Sequence, residues 1–229
     1  MEMKRHKDSS AFVFDLRNST AITRQLSSTS TDRLNSFLEF MQRLASLVYE
    51  LSYEKIGKEP SSAINHTGDG FLCVYWDKVH AITALRIALE IRLFLNKEIP
   101  KLIQHLHTSD DLTIDFGIAL HTGSSSVYLF KPPLLKLIYG TLPNTVSRLE
   151  KQTKIRRRRI ILTGNFRKYL LRHLKKLDVQ KLSDDQLGLK RLSSGGRVNI
   201  DDGKLSGHFL YCILETEADR VHSVLTQNR

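Results

Sequence analysis

The chain has 229 residues, 41% of them apolar, with 35 basic and 24 acidic side chains and a formal net charge of +11. That length suits one domain with a sizeable core, and two cysteines, Cys73 and Cys212, exclude a disulfide-rich secreted scaffold. The charged start, MEMKRHKDSSAF, argues against a signal peptide, and no run approaches the roughly 18 apolar residues of a membrane helix, so a cytoplasmic protein with reduced thiols is expected.

In chain order, residues 1–9 read as a polar tail and SAFVFDL as a first strand ending in an acid. RNSTAITRQLSSTSTD reads as a polar connection. From Leu34 to Ile56 apolar residues recur at three and four, which predicts an amphipathic helix stopped by Gly57 and Pro60. SAINHTGDGFLCVYW predicts two strands joined by a tight turn at Gly68-Asp69-Gly70. Residues 80–99 predict a second helix, closed before Pro100, and 101–111 a polar connection. LTIDFGIALHTG predicts a strand broken at or just after Gly117. Pro132 and Pro133 make the next stretch an irregular arm with a short strand over Val127–Phe130. PNTVSRLEKQTK starts a third helix with Pro143 in its first turn. RRRRIILTG predicts a strand, NFRKYLLRHLKKL a short helix and HFLYCILE the last strand. The order is that of an α+β fold, a ferredoxin-like βαββαβ core with additional C-terminal α and β elements. The expected domain spans 10–214, with 215–229 a C-terminal tail.

The positive charge is concentrated. Between Arg148 and Lys176 there are twelve basic residues against Glu150 alone, and the rest of the chain is neutral. Such a segment attracts polyanions: a nucleoside triphosphate, nucleic acid or an anionic membrane. It is also what a solvated face looks like. In a strand, the consecutive Arg156–Arg159 would point alternately to two faces, so at most half could serve one site.

In a βαββαβ sheet the first and third strands are central neighbours. The end of strand one, carrying Asp15, can then meet the hairpin turn carrying Asp69. Two carboxylates there suit hard divalent cations, which want oxygen ligands. A solvated turn aspartate is the competing reading. The strand-to-helix turn Leu16–Thr20 offers backbone N–H groups to phosphates. Asn144 and Arg148 are four apart and share a helix face. The arginine suits phosphate and the amide a sugar or base. A helix cap and a solvent arginine are the alternatives.

FVFDLRNST, HTGDGFLCVYW and YGTLPNTVSRLE, in that order and spacing, resemble the catalytic domain of class III nucleotidyl cyclases across roughly residues 10–165. The resemblance implies two divalent cations, Mn²⁺ or Mg²⁺, held by Asp15, Asp69 and the backbone carbonyl of Leu16. It implies a phosphate cradle over Arg17, Asn18, Ser19 and Thr20, with Asn144 placing the ribose and Arg148 stabilising charge on the α-phosphate. Arg156–Arg159, or Lys190 and Lys204, are further candidates for a phosphate contact. It also implies a homodimer whose two sites each draw on both subunits.

Two positions depart from the purine cyclases. Asn65 stands where a lysine reads the base, and Thr141 where an aspartate or similar residue does. Both are short and neutral, and an amide can match uracil or cytosine. The small stand-alone form and this altered pair look like the pyrimidine cyclases of the bacterial Pycsar anti-phage defence. That resemblance implies UTP, or CTP, as substrate and a cyclic nucleotide acting on a separate effector, with no nucleic acid and no membrane insertion. Cyclic UMP is favoured on the group resemblance. A purine cyclase, an inactive homologue and a basic nucleic-acid-binding module are the alternatives. The last lacks basic-aromatic interleaving. His105 and His107 lack the companions of a zinc site.

Overall fold

The computed structural model describes residues 2–53, 61–106, 113–130, 135–176, 187–192 and 209–227. The elements are β1 (Glu2–Arg17), α1 (Ser19–Thr29), α2 (Thr31–Tyr53), β2 (Ser62–His66), β3 (Gly70–Tyr75), α3 (His80–Leu106), β4 (Asp115–Phe130), β5 (Leu135–Tyr139), α4 (Thr141–Ile155), β6 (Ile160–Thr163), α5 (Gly164–Lys176), β7 (Leu189–Arg191), β8 (Leu210–Ile213) and α6 (Glu215–Gln227). Among the described residues they form one sheet in the order β2-β3-β1-β4-β6-β8-β7, with β5 paired to β4. β1 lies between β3 and β4, antiparallel to both, as the ferredoxin-like reading requires.

Alternation along β1 divides the core. Phe12, Phe14 and Leu16 enter a large cluster with α1, α2, α3, α5 and α6. Ala11 and Val13 enter a smaller one, in which Leu142, Val146 and Leu149 of α4 cover the opposite face. Asp15 follows the second parity and so lies on the α4 side.

Several expectations are corrected. The polar start is not a tail: Glu2 to His6 continue β1 and pair with β4 from Ser125 to Leu129. A register shift between His6 and Ser9 separates that pairing from the rest. The arm is not irregular either, because β4 runs unbroken to Phe130 and β5 returns along it from Leu135 to Tyr139. Pro132 and Pro133 lie outside the described residues.

The expected connection after Arg17 is the helix α1. Ile22 and Leu26, four apart, supply its buried side. Its hydroxyls bond back to the helix: Ser27 to the Thr23 carbonyl at 2.7 Å and Thr29 to that of Gln25 at 2.8 Å. Those bonds satisfy side chains that would otherwise compete with the backbone.

α3 does not close before Pro100 but continues to Leu106. A proline in a helix interior costs about 3 kcal/mol, and burial of Ile99, Leu102 and Leu106 offsets it. The expected C-terminal tail is α6. It anchors through the buried Arg92, whose guanidinium pairs with Glu215 at 2.8 Å and Asp219 at 2.6 Å. Arg156–Arg159 lie in the turn before β6 and not in the strand, so the two-faces argument does not apply to them. Cys73 and Cys212 are free and buried, as read. Among the described residues no helix is long and apolar enough to cross a membrane.

Candidate active site

β1 ends beside α1, and the β2–β3 hairpin turn lies next to that junction. Asp15 is directly opposite Gly70 on β3 and Gly117 on β4. Both glycines are required by close approach. A β-carbon at Gly70 would lie 2.1 Å from the Phe14 carbonyl oxygen. One at Gly117 would lie 2.1 Å from Thr153 Oγ1 and 2.5 Å from Glu150 Oε1. Gly117 therefore does not break β4; it lets α4 come down onto the strand next to Asp15.

The result is a cleft of about 530 Å³ lined by Asp15, Leu16, Arg17, Asn18, Ser19, Thr20, Asp69, Glu150, Lys151 and Lys154, with Ala21 and Ile155 completing the wall. The Asp15 carboxyl, when protonated, hydrogen-bonds Asp69, and the Ser19 hydroxyl donates to Asp69. The Asp15 carboxyl is pushed up to about 7, first by burial, then by the charge of Asp69 and their shared bond, then by Glu150; Arg17 opposes. Glu150 is raised too, mainly by burial, and accepts from Thr153 Oγ1 at 3.1 Å. The first turn of α1 carries no side-chain cap. Asn18 holds a left-handed conformation, φ 66°, and donates instead to the Thr113 carbonyl at 2.8 Å. The start of α1 thus borders the carboxylates, a placement that suits phosphate oxygens.

A carboxylate that resists ionising beside a second carboxylate is a good place for a hard cation, because the ion removes the repulsion that raised the pKa. Among the described residues no group of three or more His, Cys, Asp or Glu is arranged as a metal cage. Mg²⁺-type ions commonly take one or two carboxylates and complete their shell with water and substrate phosphates. The pair Asp15 and Asp69, with the Leu16 carbonyl, fits that mode.

Of the residues singled out from the sequence, Asp15, Leu16, Arg17, Asn18, Ser19, Thr20 and Asp69 line this one cleft. The Arg17 side chain is already engaged, donating to Asp115 at 2.5 Å and Thr153 Oγ1 at 3.0 Å. Asn144 and Arg148 share the outer side of α4, Asn144 exposed and Arg148 half-buried, and neither lines the cleft. Asn65, on β2 opposite Leu72, and Thr141, the exposed first residue of α4, do not line it either. Glu150, Lys151 and Lys154 were missed. Their three- and four-residue spacing marks a helix side, but nothing local says that this side meets Asp15. Lys190 is an exposed residue of β7, and Lys204 lies outside the described residues.

No family model matches the sequence, and no curated protein sequence matches it. Solved structures do match. The adenylyl cyclase CyaB from P. aeruginosa superposes with a TM-score of 0.60 at 14% identity, covering 94% of this chain and 97% of that one. The guanylyl cyclase Cya2 gives 0.58 at 13% identity, covering 93% of each chain. The guanylate cyclase domain of RhGC from Catenaria anguillulae, solved in complex with GTP, gives 0.55 at 17%, covering 92% and 98%. At these identities the likeness is one of fold: the chain has the class III nucleotidyl cyclase fold.

Proposed function

We propose that the protein is a pyrimidine nucleotide cyclase, converting UTP to 3′,5′-cyclic UMP and pyrophosphate, and that it acts as a homodimer in the cytoplasm. The observation that carries this reading is the half-buried Asp15–Asp69 pair set against the uncapped start of α1, on a cyclase fold. When bound, Mn²⁺ or Mg²⁺ held by Asp15, Asp69 and the Leu16 carbonyl would activate the ribose 3′-hydroxyl and carry leaving-group charge. Ser19 fixes the Asp69 carboxylate. Backbone N–H groups of the first turn of α1 receive the β- and γ-phosphates, with Lys151 and Lys154 at the rim of the cleft. The partner subunit's Asn144 holds the ribose for in-line attack, and the partner subunit's Arg148 meets charge growing at the α-phosphate. Placement of both residues off this chain's own cleft supports that division of labour.

The pyrimidine reading rests on Asn65 and Thr141, and the defence setting on the group resemblance; the product would act on a separate effector. The deciding experiment incubates the protein with each of the four ribonucleoside triphosphates and Mn²⁺, with kcat/KM measured and products resolved by mass. UTP should lead CTP, and both should lead ATP and GTP. A site that leaves buried polar groups unpaired rejects the wrong base strongly. A tenfold preference for a purine would remove the pyrimidine reading, and no turnover of any triphosphate by folded dimer would remove the cyclase reading.

A further inference from the structure

A second cavity, about 290 Å³, is lined by Arg17, Asp115, Arg157, Arg158, Arg159 and Glu215, with Ile213 and Leu214 at its floor. It shares Arg17 alone with the carboxylate cleft. Four guanidinium groups meet two carboxylates here, and both carboxylates are already engaged. Asp115 accepts from Arg17 at 2.5 Å and from Arg159 at 2.9 Å. Glu215 pairs with Arg92. The side chains of Arg157 and Arg158 make no hydrogen bond or ion pair with any described residue, and the Nε of Arg17 is buried without an acceptor among them. The cavity therefore carries excess positive charge, with Arg157 and Arg158 exposed to solvent.

The backbone adds a second observation. Arg157 is left-handed, φ 51°, at the end of α4. Its amide bonds the Lys154 carbonyl at 3.1 Å, and that of Arg158 bonds the Thr153 carbonyl at 2.9 Å. This is the helix-ending arrangement that glycine normally completes. A side chain there costs about 1–2 kcal/mol. The partial negative charge of a helix C-terminus rewards a cation by roughly 0.3–1 kcal/mol, and Lys154 in the last turn already supplies one. Stability alone would place glycine at 157.

We infer that this cavity is a binding site for a phosphate dianion, distinct from the Asp15–Asp69 cleft. Guanidinium forks match phosphate oxygens in pairs. A cavity of about 290 Å³ has room for free phosphate, pyrophosphate or the phosphate end of a nucleotide.

Calorimetric titration of the full chain tests this, in EDTA and at constant ionic strength, with inorganic phosphate, pyrophosphate and UMP in separate arms. Three proteins are compared: wild type, Arg157→Gly/Arg158→Ala, and Lys151→Ala/Lys154→Ala at the other cleft. Glycine suits the left-handed position, so the arginine variant should fold, which its circular dichroism and melting temperature check. The arginine-dependent phosphate binding of the wild type should persist in the lysine variant, whatever the other cleft loses, and be at least about tenfold weaker in the arginine variant. Binding of UMP through the same arginines identifies a nucleotide source, and binding of the inorganic anions alone a free one. Unchanged affinity in the arginine variant, loss only in the lysine variant, or no binding by wild type at millimolar phosphate overturns the site. The readout needs no turnover, so it stands or falls separately from the proposed cyclase activity.

Discussion

Asp15 has glycine on both sides across the sheet and two further carboxylates in its cleft. With metal removed it keeps its proton to about pH 7 in the folded chain, against about pH 4 when unfolded. Between those values the folded state holds more protons than the unfolded one, so this group's contribution to stability falls as pH rises. Asp15→Asn removes that penalty. In EDTA its melting temperature should exceed wild type at pH 8, with the gap closing toward pH 4. A gap that does not change with pH would contradict the crowding of the carboxylates. The same variant should lose triphosphate turnover, because it gives up an anionic oxygen of the metal site.

At the level of elements, the approach of α4 to β4 depends on Gly117. Gly117→Ala sets a methyl against Thr153 and Glu150. Overpacking of this kind typically costs about 1–3 kcal/mol, which urea unfolding would register. Gly123→Ala is the control on the same strand. Its β-carbon would meet no atom closer than His121 Nε2 at 3.5 Å, an ordinary contact. Equal losses in the two variants would mean that α4 is not seated as described.

A second element contact joins α3 to α5. His80 and His173 stack edge to face at 4.6 Å, and the His80 Nδ1 shares a hydrogen bond with Ser10 of β1 at 2.8 Å. Burial first pushes both imidazoles down to about 4, helped by His173 and then Lys176 at His80 and by Lys176 and Arg172 at His173, with Asp8 opposing in each case. Here the unfolded chain takes up protons first, near pH 6.5, so stability is lost as pH falls from there toward 4. His173→Phe keeps the ring packing and should blunt that acid loss in thermal melts between pH 7 and 4. An unchanged acid profile would place the titration elsewhere. The histidines and Asp15 act in opposite directions over overlapping windows, so each shows as a difference between variant and wild type and not in the wild-type profile alone.

At the scale of the whole molecule, the proposed dimer predicts complementation. Asp69→Ala and Arg148→Ala should each be inactive. Mixed and allowed to exchange subunits, they should recover part of the wild-type rate, because one of the two sites of the heterodimer then holds an intact Asp69 and an intact Arg148. Exchange is verified first, by native mass spectrometry of differently tagged subunits. Exchanged mixtures that stay inactive would mean that each site is built within one chain.

What the sequence by itself determined were features signalled over a few neighbouring residues. The hairpin at Gly68-Asp69-Gly70, the apolar spacing of α2 and the first part of α3, Pro143 in the first turn of α4 and the shared side of Asn144 and Arg148 are all of this kind. So is the placing of Asp15 beside Asp69, since strand order in a βαββαβ core follows from the element order. Tertiary structure alone decided the rest, because the stabilising partners lie far along the chain. The charged start of β1 is strand because β4 pairs with it, and α1 is helix because Ile22 and Leu26 are buried and its hydroxyls bond inward. α3 passes Pro100 because its apolar side stays buried beyond it. Glu150, Lys151 and Lys154 enter the carboxylate cleft, and Arg157 and Arg158 a different cavity, because α4 descends onto Gly117 and ends in a left-handed turn. A helix period tells which residues share a side; only packing tells what that side meets.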